Sequence, residues 1–168
     1  MSHPGKVYSL DDVDIDPLMV VIQTLIDQDV SFCVVGEDIG LLQLIHERTR
    51  APLAEIGEAD FVIVPEGGSY GDIYKAKRGT PEYPDHGATI IYKAEALGGE
   101  GNGKASVALT GPGIETETRT AVKGLISGEF VDLADVNSEF PLGVDCIFVD
   151  NAYRVMCIPR STRIKVIG

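Results

Sequence analysis

The sequence predicts a single α/β domain, with a mixed parallel and antiparallel sheet covered by helices. Three observations lead there. The first half alternates short β-rich runs with stretches of helical period. Near the C-terminus, Val144 to Val149 and Tyr153 to Ile158 flank the turn-forming Asp150-Asn151-Ala152 and read as a β-hairpin. Apart from Asp145 the first of these runs is apolar on both faces, so it belongs inside a covered sheet.

In order along the chain, residues 1–15 are polar and irregular and are expected to form a loose N-terminal segment, with one domain over 16–168. Asp16 is placed to cap a helix with Pro17 at its first position, and Leu18, Val21, Ile22, Leu25 and Ile26 follow at helical spacing through Gln28. Ser31 to Gly36 is a short strand. Asp38 to Thr49 returns to helical period, with Leu41, Leu42, Leu44 and Ile45 inward, and Pro52 bars its continuation. Asp60 to Val64 is a strand closed by Pro65, and Tyr70 to Arg78 a short helix stopped by Gly79. Ala88 to Leu97 reads as a long strand, Gly98 to Gly103 as a loop, and Lys104 to Thr110 as its antiparallel partner. Thr116 to Val122 is extended or irregular. Ser127 caps a helix through Asn137, with Phe130, Leu133 and Ala134 inward, and Ile164 to Ile167 forms a last edge strand.

Charge and composition narrow the function. Fourteen basic against 26 acidic residues give a net charge of −12. That argues against nucleic acid, which needs cations to replace counterions, and against an anionic membrane surface. No apolar run approaches the ~18 residues of a membrane span, and the N-terminus lacks the apolar core of a secretory signal. The cytoplasm is the expected compartment. Cys33, Cys146 and Cys157 lie in apolar runs without Cys-x-x-Cys spacing, so they read as core residues and no metal site is expected.

Gly98-Gly-Glu-Gly-Asn-Gly-Lys-Ala105 is one residue from a phosphate-binding P-loop. The run from Ala105 to Thr110 reads as strand where a P-loop must open a helix, and Ala105 lacks the hydroxyl for Mg²⁺, so a hairpin loop is the better reading. Leu109-Thr-Gly-Pro-Gly-Ile114 is a tight strand exit, or alternatively a backbone nest for an anion or a partner loop, through Gly111 and Gly113. If Val149 opposes Arg154 in the hairpin, Asp145 opposes Ile158 and Arg160 sits diagonally on the same face, within reach of a bidentate ion pair. A shift by one would separate them. Alternatively Arg160, Arg163 and Lys165 form a basic spot for an anion or a partner carboxylate, or simply protect an edge strand. The three histidines do not cluster, no nucleophile elbow is present, and no residue is assigned a catalytic role.

Phe140-Pro-Leu-Gly-Val-Asp145 and Ile158-Pro-Arg-Ser-Thr162 resemble the C-terminal signature of the PhnH subunits of bacterial carbon–phosphorus lyase. Gly79-Thr80 with Pro84 and Gly87-Ala-Thr89, then Leu109 to Ile114, match upstream in the right order, over the last two thirds of the chain. The resemblance implies a fold similar to the large domain of pyridoxal-phosphate-dependent transferases, without the cofactor lysine and so with no cofactor. It implies an accessory or non-catalytic subunit of the assembly that couples phosphonates to ATP-derived ribose and breaks the carbon–phosphorus bond, with other lyase subunits as partners and the lyase chemistry on another chain. Gly111, Gly113, Gly143, Asp145, Pro159, Arg160 and Thr162 become interface or architecture positions, because the resemblance carries over no catalytic residue. Such proteins begin with a further helical segment, carrying a Phe-Arg pair and later a Pro-Gly, whereas this chain enters near Pro17. The apolar patch this leaves suggests a homodimer interface. The rival reading is an enzyme or binder of phosphorylated metabolites that uses the Gly111–Gly113 turn and Arg160.

Overall fold

The computed structural model describes residues 2–11, 14–99, 104–126 and 128–167. Strand β1 (Val7–Ser9) precedes helix α1 (Pro17–Leu25), and β2 (Phe32–Val34) precedes α2 (Ile39–Thr49). β3 (Phe61–Val64), β4 (Thr89–Ala94), β5 (Ala96–Leu97), β6 (Lys104–Thr110) and β7 (Thr118–Lys123) come next. Helix α3 (Glu129–Val136) leads into β8 (Asp145–Asp150), β9 (Arg154–Ile158) and β10 (Arg163–Val166). Among the described residues there are two sheets, one six-stranded in the order β1-β9-β8-β4-β3-β2 and one four-stranded in the order β10-β6-β7-β5. The run β2, β3, β4, β8 is parallel, and β9 and β1 extend it antiparallel.

The large sheet separates two cores. On one face Ile63, Ile91, Ile147 and Val149 pack with Leu18, Ile22 and Ile45 of α1 and α2. On the other, Ile90, Tyr92, Cys146 and Phe148 meet Phe130 and Leu133 of α3 and Val107, Leu109 and Val122 of the small sheet. The period-2 alternation of β4 and β8 explains this division: successive side chains point to opposite faces, and both faces are covered. Tyr92 stacks on Phe148 with centroids 4.9 Å apart. The late hairpin is therefore interior, as the apolar pattern of Val144 to Val149 requires.

Local signals set both early helices. Asp16 Oδ1 accepts from Leu18 N at 2.9 Å and Asp38 Oδ1 from Leu41 N at 2.8 Å, each satisfying an otherwise orphan amide. α1 stops at Leu25 rather than Gln28, because Ile26 is already extended. Of the four α2 residues expected inward only Ile45 is buried. That helix lies at the rim beside β2, where only a narrow stripe can be covered.

Several expectations are corrected. The segment expected to be loose contains β1, whose ladder with β9 is reinforced by Gly5 N donating to Cys157 O. Tyr70 to Arg78 forms only a 3-10 turn, Asp72–Lys75. Lys77 O instead accepts Ala88 N, and Arg78 bridges Gly87, pulling the chain straight. The long strand breaks at Glu95 and changes sheets: β4 sits between β3 and β8, while β5 pairs with β7. β6 therefore pairs with β7 and β10 rather than returning against its predecessor. The last edge strand, β10, borders the small sheet. The expected cap Ser127 and the loop 100–103 lie outside the described residues, and Gly128 occupies the N-cap position of α3 without a side-chain bond.

The three cysteines sit in β2, β8 and β9. Burial, with Asp72 and Glu55 nearby, pushes the Cys33 thiol up to about 11 from its ordinary 9.0. Burial likewise raises Cys146 and Cys157. A folded thiol that keeps its proton longer than the unfolded one contributes stability below pH 9.0 that is lost as pH climbs toward about 11. Iodoacetamide labelling of Cys33, followed by peptide mapping, is thus expected to accelerate about tenfold per pH unit from pH 8 to 10 while circular dichroism stays native. A rate that levels off near pH 9, as for a free thiol, would contradict this placement.

Candidate functional site

The motif residues scattered through the sequence meet at one end of β8. Asp145, its first residue, accepts from Arg160 three times: the backbone N–H reaches Oδ1 at 2.8 Å, and Nε and Nη2 reach Oδ2 at 3.2 and 2.6 Å. The ion pair is only partly exposed, at 13% for the Arg160 side chain and 22% for that of Asp145. Arg160 Nη1 also donates to Pro84 O, and Nη2 to Gly87 O at 3.3 Å. One guanidinium thus gathers the segment before β4, the start of β8 and the end of β9, and four of its five N–H donors serve that task.

The expected ion pair forms, though the expected register does not. Val149 opposes Val155 and the ladder ends at Cys146 and Ile158. Asp150 extends β8, and a three-residue turn comes after it in which Tyr153 takes a left-handed φ of 55°, a recognised hairpin geometry. The shift does not separate Asp145 from Arg160, because Pro159 ends the ladder and frees the next residue from strand alternation.

Close packing around the pair explains its glycines. A Cβ on Gly87 would strike Gly143 O and the Arg160 guanidinium, and one on Gly143 would strike Asn137 Oδ1. Gly143 has a φ of 144°, unfavourable to any side chain. Its N–H donates to Arg78 O at 3.0 Å. Asn137, at the end of α3, clamps Val144 by accepting its N–H at 2.8 Å and donating to its carbonyl at 3.1 Å.

Outside this knot lies an open cleft of about 840 Å³. Its walls are the exit of β6 (Thr110, Gly111, Pro112), the end of α3 with Ser138 and Phe140, and the run Arg160 to Ile164. β10 pairs with β6, Arg163 opposite Thr110, and this joins the two motifs. Gly111 allows it, since a Cβ there would come within 2.8 Å of Ser161 O. Thr162 is 3% exposed and its hydroxyl has no hydrogen-bond partner. Arg163 is exposed, and among the described residues its guanidinium has no carboxylate partner. Gly113 lies away from the cleft, packed against Ser2. Gly111, Arg160, Thr162 and Arg163 therefore come together, Asp145 stands behind Arg160, and Gly113 does not join them.

Sequence reading missed a second polar centre. Glu129 of α3 is 1% exposed; its Oε1 accepts Tyr92 Oη at 2.6 Å and its Oε2 accepts Ser69 N at 3.0 Å. Burial, with Cys146 and Glu129 beside it, holds the Tyr92 hydroxyl protonated and so a donor. The one available signal was an acidic residue beside the apolar stripe of a helix, which usually marks a solvated face. His46 contacts Ala51 O and His86 stacks on Tyr83, so neither approaches the cleft. Among the described residues no group of three or more His, Cys, Asp or Glu is arranged to hold a metal, and no helix is long and apolar enough to cross a membrane.

Comparison with known proteins matches residues 1–165 to the family model described as bacterial phosphonate metabolism protein (PhnH), well beyond the stretch carrying the motifs. The chain is 32% identical over 168 residues to a Stutzerimonas stutzeri protein named "Putative C-P lyase subunit protein HtxG", covering 99% of this chain and 81% of that one. It is 33% identical over 109 residues to the alpha-D-ribose 1-methylphosphonate 5-triphosphate synthase subunit PhnH of Rhizobium meliloti (strain 1021), covering 64% of this chain and 52% of that one.

If the knot requires a bare backbone at Gly143, two glycines of positive φ should respond differently to alanine. Gly36, with a φ of 86° and nothing within 4 Å of an added Cβ, is expected to lose only the ~1–2 kcal/mol of a strained backbone. Gly143→Ala adds the clash with Asn137 and Arg160 and is expected to lose at least about 3 kcal/mol. Urea denaturation of both variants measures the difference, and equal losses would contradict the packing described.

Proposed function

The chain belongs to the PhnH family of bacterial phosphonate metabolism proteins, and on that premise we propose that it is an accessory, non-catalytic subunit of a carbon–phosphorus lyase assembly. It acts through protein–protein contact in the cytoplasm. Its partners are the other lyase subunits and a second copy of itself, and the bond-breaking chemistry lies on another chain. The observation that carries this reading is the family match over residues 1–165. Two further points support it. One relative is named as a C-P lyase subunit and the other as an alpha-D-ribose 1-methylphosphonate 5-triphosphate synthase subunit. The residues carrying the family resemblance hold the fold together, with Arg160 bonded to Asp145 and to two backbone carbonyls rather than set around a reacting atom.

The fold is proposed to correspond to the large domain of pyridoxal-phosphate-dependent transferases, keeping the scaffold without the cofactor. Leu25, Ile39, Leu44 and Leu53, exposed on and just after α1 and α2, offer apolar area for the self-contact.

Co-expression with the remaining lyase subunits tests the role. A tagged copy of the chain is expected to retain them through size-exclusion chromatography, and deletion of its gene to abolish growth on methylphosphonate as sole phosphorus source. Isolation of the tagged chain alone, together with normal growth of a deletion strain that has no paralogue, would overturn the reading.

A further inference from the structure

Strand β2 borders the large sheet, and its outer side is only half covered. Val35 N donates to Ile63 O, and Phe61 N donates to Ser31 O. Residues of a parallel strand alternate in the side to which their backbone groups point, so Ser31, Cys33 and Val35 bond β3. Phe32 and Val34 face outward. The chain itself covers the first of these: Phe32 N donates to Pro52 O and Phe32 O accepts Ala54 N, both at 3.0 Å. The covering segment then leaves the edge, because Glu55 O accepts from Glu58 N and Ala59 N and closes a turn. Among the described residues the outward N–H and C=O of Val34 have no partner.

The uncovered residue faces open space. Two adjoining clefts of about 300 and 540 Å³ share Val35, Gly36 and Asp72, and Val34 lines the smaller. A Cβ on Gly36 or Gly71 would meet nothing within 4 Å. Glu37, Asp38, Glu55, Glu66 and Asp72 put five carboxylates on the walls. Lys75, the one cation among the described lining residues, is paired with Asp72 at 2.6 Å, and Asp38 caps α2. Glu37, Glu55 and Glu66 have no ion-pair partner among the described residues. Tyr70, 74% exposed, lines the larger cleft and offers a ring face of the kind that attracts ammonium and guanidinium groups.

Charge decides what can complete this edge. The carboxylates alone would be a solvated rim. Beside an unpaired backbone donor and acceptor they set the sign of any strand that pairs there. A second copy of the chain would bring its own net charge of −12 to an acidic rim and be repelled. A cationic strand is attracted by the same groups.

We propose that the outer edge of β2 takes an extended, lysine- or arginine-bearing segment of a partner protein, which adds a strand beside Val34 and lays its cations against Glu37, Glu55 and Glu66. Backbone bonds to Val34 seat the segment, and the carboxylates select cationic over neutral or acidic sequences. The partner's identity as another lyase subunit rests on the reading given above; the chemistry of the edge does not.

Fluorescence anisotropy on the full chain tests the chemistry, with a fluorescein-labelled peptide of alternating lysine and valine as the probe. Two comparison peptides are the same sequence N-methylated along its backbone, which keeps the charge and loses the donors, and a glutamate–valine version. The parent peptide is expected to bind about tenfold more tightly than the N-methylated one, and the acidic peptide not at all. Amide exchange at Val34 is expected to slow when the parent peptide binds. Val34→Pro removes the outward N–H at a position where an edge strand tolerates proline, and is expected to weaken binding severalfold. Glu37→Lys combined with Glu66→Lys is expected to weaken it about tenfold, whereas Glu115→Lys, outside both clefts, is expected to leave it within twofold of the unmodified chain. No binding, equal binding of the parent and N-methylated peptides, or unchanged exchange at Val34 would each overturn the proposal. So would a dimer of the unmodified chain that Val34→Pro converts to a monomer, which would assign the edge to a second copy.

Co-expression with the lyase subunits separates this proposal from the subunit reading. The unmodified chain is expected to retain them, and the Glu37→Lys/Glu66→Lys chain to lose at least one. Equal retention by both would overturn the edge as the contact and leave the subunit role standing. Peptide binding at Val34 by a chain that retains no subunit would support the edge and overturn the role.

Discussion

A single guanidinium–carboxylate contact orders one end of this molecule. Asp145 opens the central strand β8, and Arg160 comes directly after the proline that closes β9. Their pairing ties together segments more than 70 residues apart in the chain, since Arg160 also donates to the carbonyls of Pro84 and Gly87. Its value depends on being mostly shielded from water. An exposed pair of this kind contributes ~1 kcal/mol or less, whereas removing one partner of a buried, hydrogen-bonded pair leaves the other charge stranded at a cost of ~3–5 kcal/mol. With side-chain exposures of 13% and 22%, this pair stands between those limits, nearer the second. Glycines at 87 and 143 are the geometric condition for it, because any side chain there would occupy the space of the guanidinium or of Asn137.

The architecture around the pair results from apolar layering. β8 is buried on both faces because α1 and α2 cover one side of the large sheet and the small sheet with α3 covers the other. Those layers make the hairpin rigid, and the rigid hairpin gives Thr162 and Arg163 fixed positions beside Gly111. The same layering accounts for Asp150 at the far end of β8. It is 1% exposed and satisfied by Leu97 N at 2.9 Å and by Arg154 at 2.7 Å, a link that anchors the point where the chain has crossed from one sheet to the other.

Much of this was legible in the residues, and the gaps have physical causes. The helix start at Asp16-Pro17 is readable because a cap is a contact between neighbours in sequence, and that at Asp38 because helical period begins there, its cap emerging only in the structure. The interior hairpin was readable because a strand apolar on both faces has few alternatives. The register was not, because it depends on whether Tyr153 adopts a positive φ, a choice that sequence spacing does not reveal. The pairing of β6 escapes the sequence for a related reason. Two apolar strands around a glycine-rich loop look like a hairpin, and nothing local announces that β7 will lie between them. At the site, the motifs single out Gly111, Gly113, Asp145, Arg160 and Thr162, and all of these but Gly113 converge. That Arg160 is consumed by the scaffold while Arg163 stays open is a tertiary fact. So is Glu129, whose burial depends on Tyr92 and Ser69, which are distant in sequence.

The scaffold account and the cleft both require that Asp145 and Arg160 act as one unit, and a double-mutant cycle measures that directly. Urea unfolding of Asp145→Asn, Arg160→Met and the double variant gives their coupling energy. The account predicts that the double variant loses at least about 1.5 kcal/mol less than the sum of the single losses. Additivity to within ~0.5 kcal/mol would mean the two side chains stabilise the fold independently, and would contradict it.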